Sequence, residues 1–272
     1  MEKPAKVVIE IGSCKGGVGK TTVTVNLAMA LRRLGNKVGI FDADLYGPNV
    51  PFMLGIRTLE DRLPFKLTMK SGNSLSFIPL YSTENKKNIE PIKKFGLSVM
   101  SLGLWFGERT VSRDSSFLGA QLISQVMSDT NWGDLDFLII DLPPGTGDLV
   151  KTMLKIDQID GVVLVNTPQD LTLLDTGKTI EMIRNMGGNI LGRVENMSYL
   201  NCPNCKTRIE VYSTGFEEWK VFEDIKLLGS IPLDHVYAKP IDENHPFTQV
   251  DLVSDYTNPI IKIAENIINS IE

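Results

Sequence analysis

The chain has 272 residues, 42% of them hydrophobic, and a formal net charge of −5 at neutral pH. Such a chain can bury a sizeable core in one large domain or two small ones. Its negative charge offers no attraction to nucleic-acid phosphates or anionic lipids, so we expect neither nucleic acid nor a membrane as a partner. No apolar run approaches the ~20 residues that span a bilayer, and the first strand starts too early to follow a targeting peptide. Three cysteines, an odd count, favour a reducing compartment and predict a cytoplasmic protein.

Apolar, β-branched runs followed by turn residues recur along the chain, with helical patterns between them. The runs are KVVIEIG, KVGIFDAD, LSFIPL, LDFLIIDLPPG, GVVLVNTP, ILGRVENM and LLGSIPLD. Several are too continuously apolar to have a wet face, which is typical of buried parallel strands. We therefore predict an α/β fold, a doubly wound, mostly parallel sheet with helices on both faces. One domain is expected over 1–272, with a less regular insertion at about 57–134 that holds a hairpin and helices.

The last helical pattern, NPIIKIAENIINSIE, places its isoleucines along one side. Such a stripe is compatible with a membrane anchor as well as with core packing. Surface-binding helices are usually basic, however, and this one has a single lysine beside two glutamates. We therefore predict that the stripe packs against the core.

The segment IGSCKGGVGKTT lies between the first predicted strand and the first predicted helix. Glycines let successive backbone N–H groups point inward and cradle phosphates, and a helix N-terminus adds its positive dipole end. In such a loop Lys20 reaches the β- and γ-phosphates, and the Thr21 hydroxyl ligates Mg²⁺. The chain is therefore predicted to be a P-loop ATPase. The expected ATP-binding residues here are Gly16, Gly17, Val18, Gly19, Lys20, Thr21 and Thr22.

Cys14 stands where the standard phosphate-loop pattern has its first glycine. A small thiol at this position is typical of packing. A regulatory or ligand role is the alternative.

Acidic residues end two of the predicted strands, where ligands bind in this architecture. Asp141 is predicted to hold Mg²⁺, directly or through water, as the second acidic element of P-loop ATPases. Gly145, in the Pro-Pro-Gly turn that follows, can bring a backbone N–H near the γ-phosphate and move when that phosphate leaves. Asp42 and Asp44 end the second strand. Each of these aspartates could instead cap the segment after it.

Cys202 and Cys205 form a C-x-x-C pair within an element expected at about 199–210. A cubane iron–sulfur cluster and a structural zinc site each take four ligands, so one chain cannot complete either with cysteine alone. Twofold symmetry would bring the pair together with its copy. Three readings remain open: a [4Fe–4S] cluster between two chains, a zinc ion between two chains, and a redox dithiol.

The K-G-G-x-G-K-T form of the loop resembles the deviant P-loop of the MinD/ParA/nitrogenase-iron-protein class of dimeric ATPases. This resemblance implies that Lys15 reaches across the dimer to the partner's phosphates and acts with Lys20 and Asp44 in catalysis. Asp44 would position or activate the attacking water, and Asp42 would lie near the metal. Asn196 matches the asparagine that contacts adenine in that class, and the backbone around Pro232 could close the same pocket.

More closely, the chain resembles the Mrp/ApbC family of iron–sulfur carrier ATPases. The matching segments are KGGVGKTTVTVNLAMAL, FDADLYGPNVPFMLG, WGDLDFLIIDLPPGTGD, VENMSYLNCPNCK and GSIPLD. The resemblance implies a homodimer that hydrolyses ATP slowly and passes a [4Fe–4S] cluster to apo iron–sulfur proteins, with cluster-assembly proteins as further partners. VSRDSSF replaces the Trp-Arg-Gly-Pro stretch usual before the second acidic element. The N-terminal cysteine cluster of some eukaryotic relatives is absent from this sequence.

Two other functions share the same loop. A partitioning or positioning ATPase of the ParA/MinD kind would bind DNA or membrane, against which the acidic charge argues. A reductase like the nitrogenase iron protein would keep its cluster during turnover.

Overall fold

The computed structural model describes residues 3–45, 47–56, 65–70, 74–79, 89–102, 116–156, 158–212, 222–234 and 258–271. Its strands are β1 (Val7–Gly12), β2 (Val38–Asp42), β3 (Phe65–Lys70), β4 (Ser74–Pro79), β5 (Ile92–Lys94), β6 (Leu97–Ser101), β7 (Phe137–Asp141), β8 (Gly161–Asn166), β9 (Ile190–Glu195), β10 (Tyr199–Asn201), β11 (Arg208–Glu210) and β12 (Leu227–Ser230). The helices are α1 (Lys20–Arg33), α2 (Val50–Met53), α3 (Ser116–Asp129), α4 (Asp148–Met153), α5 (Asp170–Asn185) and α6 (Pro259–Ile271). The VSRDSSF departure lies mostly outside the described residues.

An eight-stranded sheet in the order β12-β9-β8-β1-β7-β2-β6-β5 forms the centre of the fold. Neighbouring strands pair in parallel from β12 to β6, and β5 pairs antiparallel with β6 at the edge. The predicted fold class is confirmed. Two further antiparallel pairs, β3-β4 and β10-β11, form small separate sheets. Strand β6 was not predicted, although it extends the main sheet within the region expected to be less regular.

Helices cover both faces of this sheet because the central strands have no polar face. Every residue of β2, β7 and β8 is buried. Apolar side chains of α1 and α6 pack in one cluster, and those of α3 and α4 pack in another on the opposite face. In α6 the residues Ile260, Ile263, Ala264 and Ile267 are buried, as core packing requires. Among the helices that the structure describes, none is long and apolar enough to cross a membrane.

The parallel register brings polar residues together where the strands end. Asp42 on β2 lies beside Asp141 on β7 and beside Ser101 on β6. The chain leaves β1 next to Asp141, since Ile11 is its partner on that strand. The loop between β1 and α1 therefore lies over the carboxyl ends of β7 and β2.

Candidate functional site: a phosphate loop and a cysteine hairpin

The loop between β1 and α1 has the curled backbone that its glycines predict. Gly17 and Gly19 have φ of 84° and 82°, a left-handed conformation that favours glycine. Gly19 directly precedes Lys20, the first residue of α1, so the N-terminus of the helix faces the loop. The loop and its surroundings line a cleft of about 440 Å³. This volume falls in the range of small-molecule sites.

Lys20 is the most deeply buried cation of the loop, with 7% of its side chain exposed. Its Nζ lies 2.7 Å from Asp141 Oδ1, which makes an ion pair. The ammonium has no well-directed hydrogen bond to any described residue. Since buried charges are costly unless their donors are satisfied, this cation fits a site that receives an anion. A nucleotide phosphate would supply the missing acceptors.

Asp141 at the end of β7 organises the first turns of α1. The Thr21 hydroxyl donates to Oδ2, and the Thr24 hydroxyl donates to Oδ1, both at 2.7 Å. Asp141 is fully buried. A carboxylate beside the Thr21 hydroxyl is the oxygen pair that P-loop enzymes use to hold Mg²⁺. The residues therefore fit a nucleotide with its magnesium ion.

Asp42 is fully buried, and its carboxylate is bonded to the protein itself. It accepts hydrogen bonds from the Ser101 hydroxyl at 2.9 Å and from the backbone N–H groups of Asp44 and Val50 at 3.2 Å. Burial, followed by the charge of Asp141, raises the pKa of Asp42 well above its ordinary value. These contacts fix the segment between β2 and α2. The structural role of Asp42 is therefore to hold that segment in place.

Asp44 lies on the same segment and lines the cleft together with the loop. Its Oδ1 accepts a hydrogen bond from the Gly47 N–H at 3.1 Å, and 7% of the residue is exposed. Pro144, from the turn after β7, lines the same cleft. In that turn Gly145 has φ of 91° and donates its N–H to the Ser13 carbonyl at 2.8 Å. Asp44 and the turn after β7 therefore both border the phosphate loop.

Asn196 follows β9 and contacts the loop directly. Its Nδ2 donates to the Val18 carbonyl at 2.9 Å. A Cβ placed on Gly19 would lie 2.2 Å from the same Nδ2, so a side chain there would displace the asparagine. Pro232 is buried after β12, and the neighbouring Leu233 N–H donates to the Tyr199 carbonyl at 2.7 Å. The structure thus brings Asn196 to the phosphate loop.

Lys15 and Cys14 are both attached to helix α5. Lys15 Nζ lies 2.8 Å from Asp175 Oδ2, and Cys14 Sγ lies 3.2 Å from Thr176 Oγ1. Lys15 is therefore paired with a helix of the same chain. The thiol at position 14 supplies a side-chain contact that glycine could not make.

Cys202 and Cys205 occupy the turn of the β10-β11 hairpin. The Cys202 N–H donates to the Thr207 carbonyl, and the Lys206 N–H donates to the Cys202 carbonyl, each at 2.9 Å. Cys205 is exposed, and both thiols are free. Over the described part of the chain, no three potential metal-ligating side chains come together. Among the described residues, the hairpin therefore offers a metal its two sulfurs and no third side-chain ligand.

The thiol of Cys205 is unusually acidic. Its Sγ lies 3.1 Å from Thr207 Oγ1, whose hydroxyl can donate to the thiolate. That hydrogen bond is the largest cause that lowers the pKa of Cys205 to about 7, followed by the Thr207 backbone N–H and Cys202. A thiolate is the form that binds metal.

Three residues that support the site were not predicted from the sequence: Thr24, Ser101 and Asp175. Thr24 lies one helical turn after Lys20, so helical spacing alone could have suggested it. Ser101 belongs to β6, which was not predicted, and no local signal indicates its contact with Asp42. Asp175 is distant in sequence from Lys15, and only the fold brings the two together.

Comparisons with known proteins agree with this geometry. The model of the ParA family, described as NUBPL iron-transfer P-loop NTPase, matches residues 4–268. An iron–sulfur cluster carrier protein of Pyrococcus abyssi is 37% identical over 274 residues, covering 100% of this chain and 88% of that protein. A protein of the same name from Aquifex aeolicus is 36% identical over 266 residues, which are 96% of this chain and 66% of the relative.

Solved structures show the same fold. A nucleotide-binding protein of Archaeoglobus fulgidus, in complex with ADP, has a TM-score of 0.68 at 32% identity and covers 94% of this chain and 91% of its own. The cell division ATPase MinD of Pyrococcus furiosus has a TM-score of 0.60 at 24% identity, covers 97% and 99%, and supports the fold alone. The chain belongs to the ParA/NUBPL family of iron-transfer P-loop NTPases.

Proposed function

We propose that this protein binds and hydrolyses ATP and carries a [4Fe–4S] cluster between two subunits for delivery to apo iron–sulfur proteins. The observation that carries the proposal is the cysteine hairpin: two adjacent thiols, one exposed and acidic, on a chain with a P-loop site. A cubane cluster takes four cysteines, so two chains would supply a complete set. The curated relatives named as cluster carriers support the cargo.

In the nucleotide half of this proposal, each residue has a part that its position supports. Lys20 binds the β- and γ-phosphates with the ammonium donors that no described residue accepts. Thr21 and Asp141 hold Mg²⁺, which would neutralise charge on the phosphate oxygens. Asp44, which lines the cleft, orients the attacking water.

The remaining contacts complete the site. Backbone N–H groups of the loop, from Gly16 to Thr22, bind the phosphates, and Gly145 senses the γ-phosphate when its N–H leaves the Ser13 carbonyl. Asn196 and the backbone at Pro232 recognise adenine. Lys15 acts on the partner's phosphates and stabilises charge that develops in the transition state.

In the cargo half, the cluster is held where it can leave. The hairpin is a two-stranded sheet outside the main sheet, and Cys205 is exposed. A cluster bound there lies near solvent and within reach of an acceptor's thiols. Ligand exchange by thiolate requires reduced cysteines, which fits a cytoplasmic site.

The test is anaerobic reconstitution with iron and sulfide, followed by iron analysis and visible absorption. We expect about four irons per two chains, and loss of that iron in Cys202→Ala. Cys14→Ala is the matched control, because Cys14 contacts Thr176 far along the chain from the hairpin, and it should retain iron. Unchanged iron in Cys202→Ala contradicts the proposal. If protein purified without oxygen holds zinc in place of iron, the proposed iron–sulfur cargo is wrong.

A further inference from the structure

Two consecutive residues of the phosphate loop contact two consecutive residues of helix α5. Lys15 Nζ lies 2.8 Å from Asp175 Oδ2, and Cys14 Sγ lies 3.2 Å from Thr176 Oγ1. We call these four residues the loop–helix contact. Thr176 is buried, with 1% exposed, so the second half of the contact is fixed to the core. The backbone of the loop is thereby held beside α5, and the Lys15 side chain is paired with Asp175 in the single chain.

The ion pair itself is exposed to water and can open. The side chain of Lys15 is 43% exposed, and that of Asp175 is 32% exposed. Pairs of this kind contribute little net stability, so modest competing interactions can replace them. Asp175 is the one acidic partner of the Lys15 ammonium among the described residues. Lys15 is thus held in place, but weakly.

Asp175 also forms an ion pair with a second lysine. Lys178 Nζ lies 3.2 Å from Asp175 Oδ1, three residues further along α5. The hydrogen bond from Lys15 and then that from Lys178 lower the pKa of the Asp175 carboxyl. The carboxylate therefore stays ionised and partnered when Lys15 departs. When the Lys15–Asp175 pair opens, no buried charge loses its partner, and Asp175 still has Lys178 beside it.

We propose that Asp175 is a positioning residue that holds the Lys15 ammonium on its own subunit's α5 until a second, nucleotide-bound subunit takes it over. This inference rests on the proposed function, in which Lys15 contacts the partner's phosphates. The Lys15–Asp175 pair must open before that contact forms, so it opposes assembly of the ATP-bound dimer. Cys14 and Thr176 keep the loop where the pair re-forms after the subunits separate.

The experiment measures ATP-dependent dimerisation of the full chain by sedimentation velocity, using Mg²⁺ and a slowly hydrolysed ATP analogue. Asp175→Asn keeps the side-chain shape and removes the charge. We expect its dimer dissociation constant to fall roughly four- to twenty-fivefold, because dimerisation opens one such exposed pair on each of the two subunits and each pair contributes about two- to fivefold. Hydrolysis per dimer at saturating ATP should stay unchanged, because Asp175 releases Lys15 without taking part in the reaction. Lys178→Gln is the matched control and should not tighten the dimer.

A double-mutant comparison separates positioning from a general effect on the helix. In a Lys15→Gln background, Asp175→Asn should no longer change the dissociation constant. An equal change in both backgrounds, or a weaker dimer in Asp175→Asn alone, overturns the proposal.

A second readout needs neither dimer nor nucleotide. Carbon NMR titration of the Asp175 carboxyl in the lone subunit should show its pKa rising when Lys15 is changed to Gln. No change in that titration overturns the proposal directly, whatever the dimer does. Conversely, the pKa of Asp175 could rise in Lys15→Gln as expected while the wild-type chain never dimerises with ATP. That result would contradict the proposed function, and with it the dimer assembly that the Lys15–Asp175 pair was proposed to oppose.

Discussion

The phosphate loop and the cysteine hairpin differ in how much of each site a single chain supplies. At the loop, Asp141 is fully buried and already bonded to Thr21, Thr24 and Lys20. At the hairpin, two thiols stand on a two-stranded sheet, and Cys205 is exposed. The first site is preorganised by the core of the fold. As a site for the proposed [4Fe–4S] cluster, the second supplies two of four cysteine ligands, so under the proposal another molecule completes it.

This difference predicts opposite responses to mutation. Changes at the loop should alter the free energy of unfolding as well as activity, because the same bonds hold the core together. Changes at the hairpin should alter chemistry at sulfur and leave stability nearly unchanged. The four predictions below test that contrast, from the largest expected effect to the smallest.

Asp141→Ala should have the largest effect. The substitution removes the carboxylate that pairs with Lys20 and leaves a buried ammonium without its counter-charge. Breaking a buried pair in this way costs about 3–5 kcal/mol. Urea denaturation at pH 7 measures the loss, and ATP hydrolysis should disappear as well. Asp134→Ala, which breaks the exposed pair with Lys37, is the control and should unfold like the wild type. Equal losses in the two variants would break the comparison.

Glu10→Gln should change how stability depends on pH. Glu10 lies on β1, is fully buried, and its carboxyl oxygens have no hydrogen-bond partner among the described residues. Burial raises the pKa of Glu10 from 4.5 to about 8. Between these values the unfolded chain loses the proton while the folded chain keeps it, so the free energy of unfolding falls as pH rises.

The Gln variant should therefore be stabilised relative to the wild type on going from pH 4.5 to pH 8, by on the order of 4 kcal/mol. Denaturation curves across that range measure it. Glu181→Gln, an exposed change on α5, serves as the control and should follow the wild-type curve. Parallel curves for Glu10→Gln and the wild type would show that the Glu10 carboxyl is not desolvated.

Gly19→Ala tests how tightly the loop is packed. Alanine at position 19 must keep the backbone φ of 82°, and its Cβ would lie 2.2 Å from Asn196 Nδ2. Gly35→Ala imposes φ of 93° with no atom within 4 Å, so it shares the backbone strain but not the clash. We expect Gly19→Ala to unfold more easily than Gly35→Ala by about 1–3 kcal/mol, measured by thermal denaturation. Equal destabilisation in the two variants would mean that Asn196 moves aside at no cost and would contradict the prediction.

Thr207→Val should leave stability unchanged and alter only the thiol. Without the hydroxyl, the pKa of Cys205 should rise from about 7 toward the ordinary thiol value. Alkylation of reduced, metal-free protein, followed at Cys205 by mass spectrometry against pH, measures the shift. Thr207→Ser retains a hydroxyl and should keep the low pKa. A pKa that rises equally in the serine variant would assign the effect to something other than the hydrogen bond.

The sequence predicts the fold class because its strands are continuously apolar and its helices carry one apolar stripe. It predicts the phosphate loop because Gly17 and Gly19 occupy positions where a side chain would strain the backbone. The cysteine pair is equally visible, since the spacing of Cys202 and Cys205 is local.

What the sequence does not predict depends on contacts between distant segments. Strand β6 is short and joins the sheet from within a region of irregular pattern, so its Ser101 could not be assigned to Asp42. The expected closeness of Asp42 to a metal has a competing explanation in its bonds to Asp44 and Val50. The pairing of Lys15 with Asp175 arises only when α5 packs beside the loop.

Native mass spectrometry of anaerobically reconstituted protein tests the central claim most directly. If one chain supplies its own phosphate loop and magnesium ligands but only half of the cluster ligands, iron and sulfide should appear only at the mass of two chains, with about four irons per pair of chains. Species of one chain should then carry nucleotide but no iron. Single chains that retain a full cluster would contradict the account.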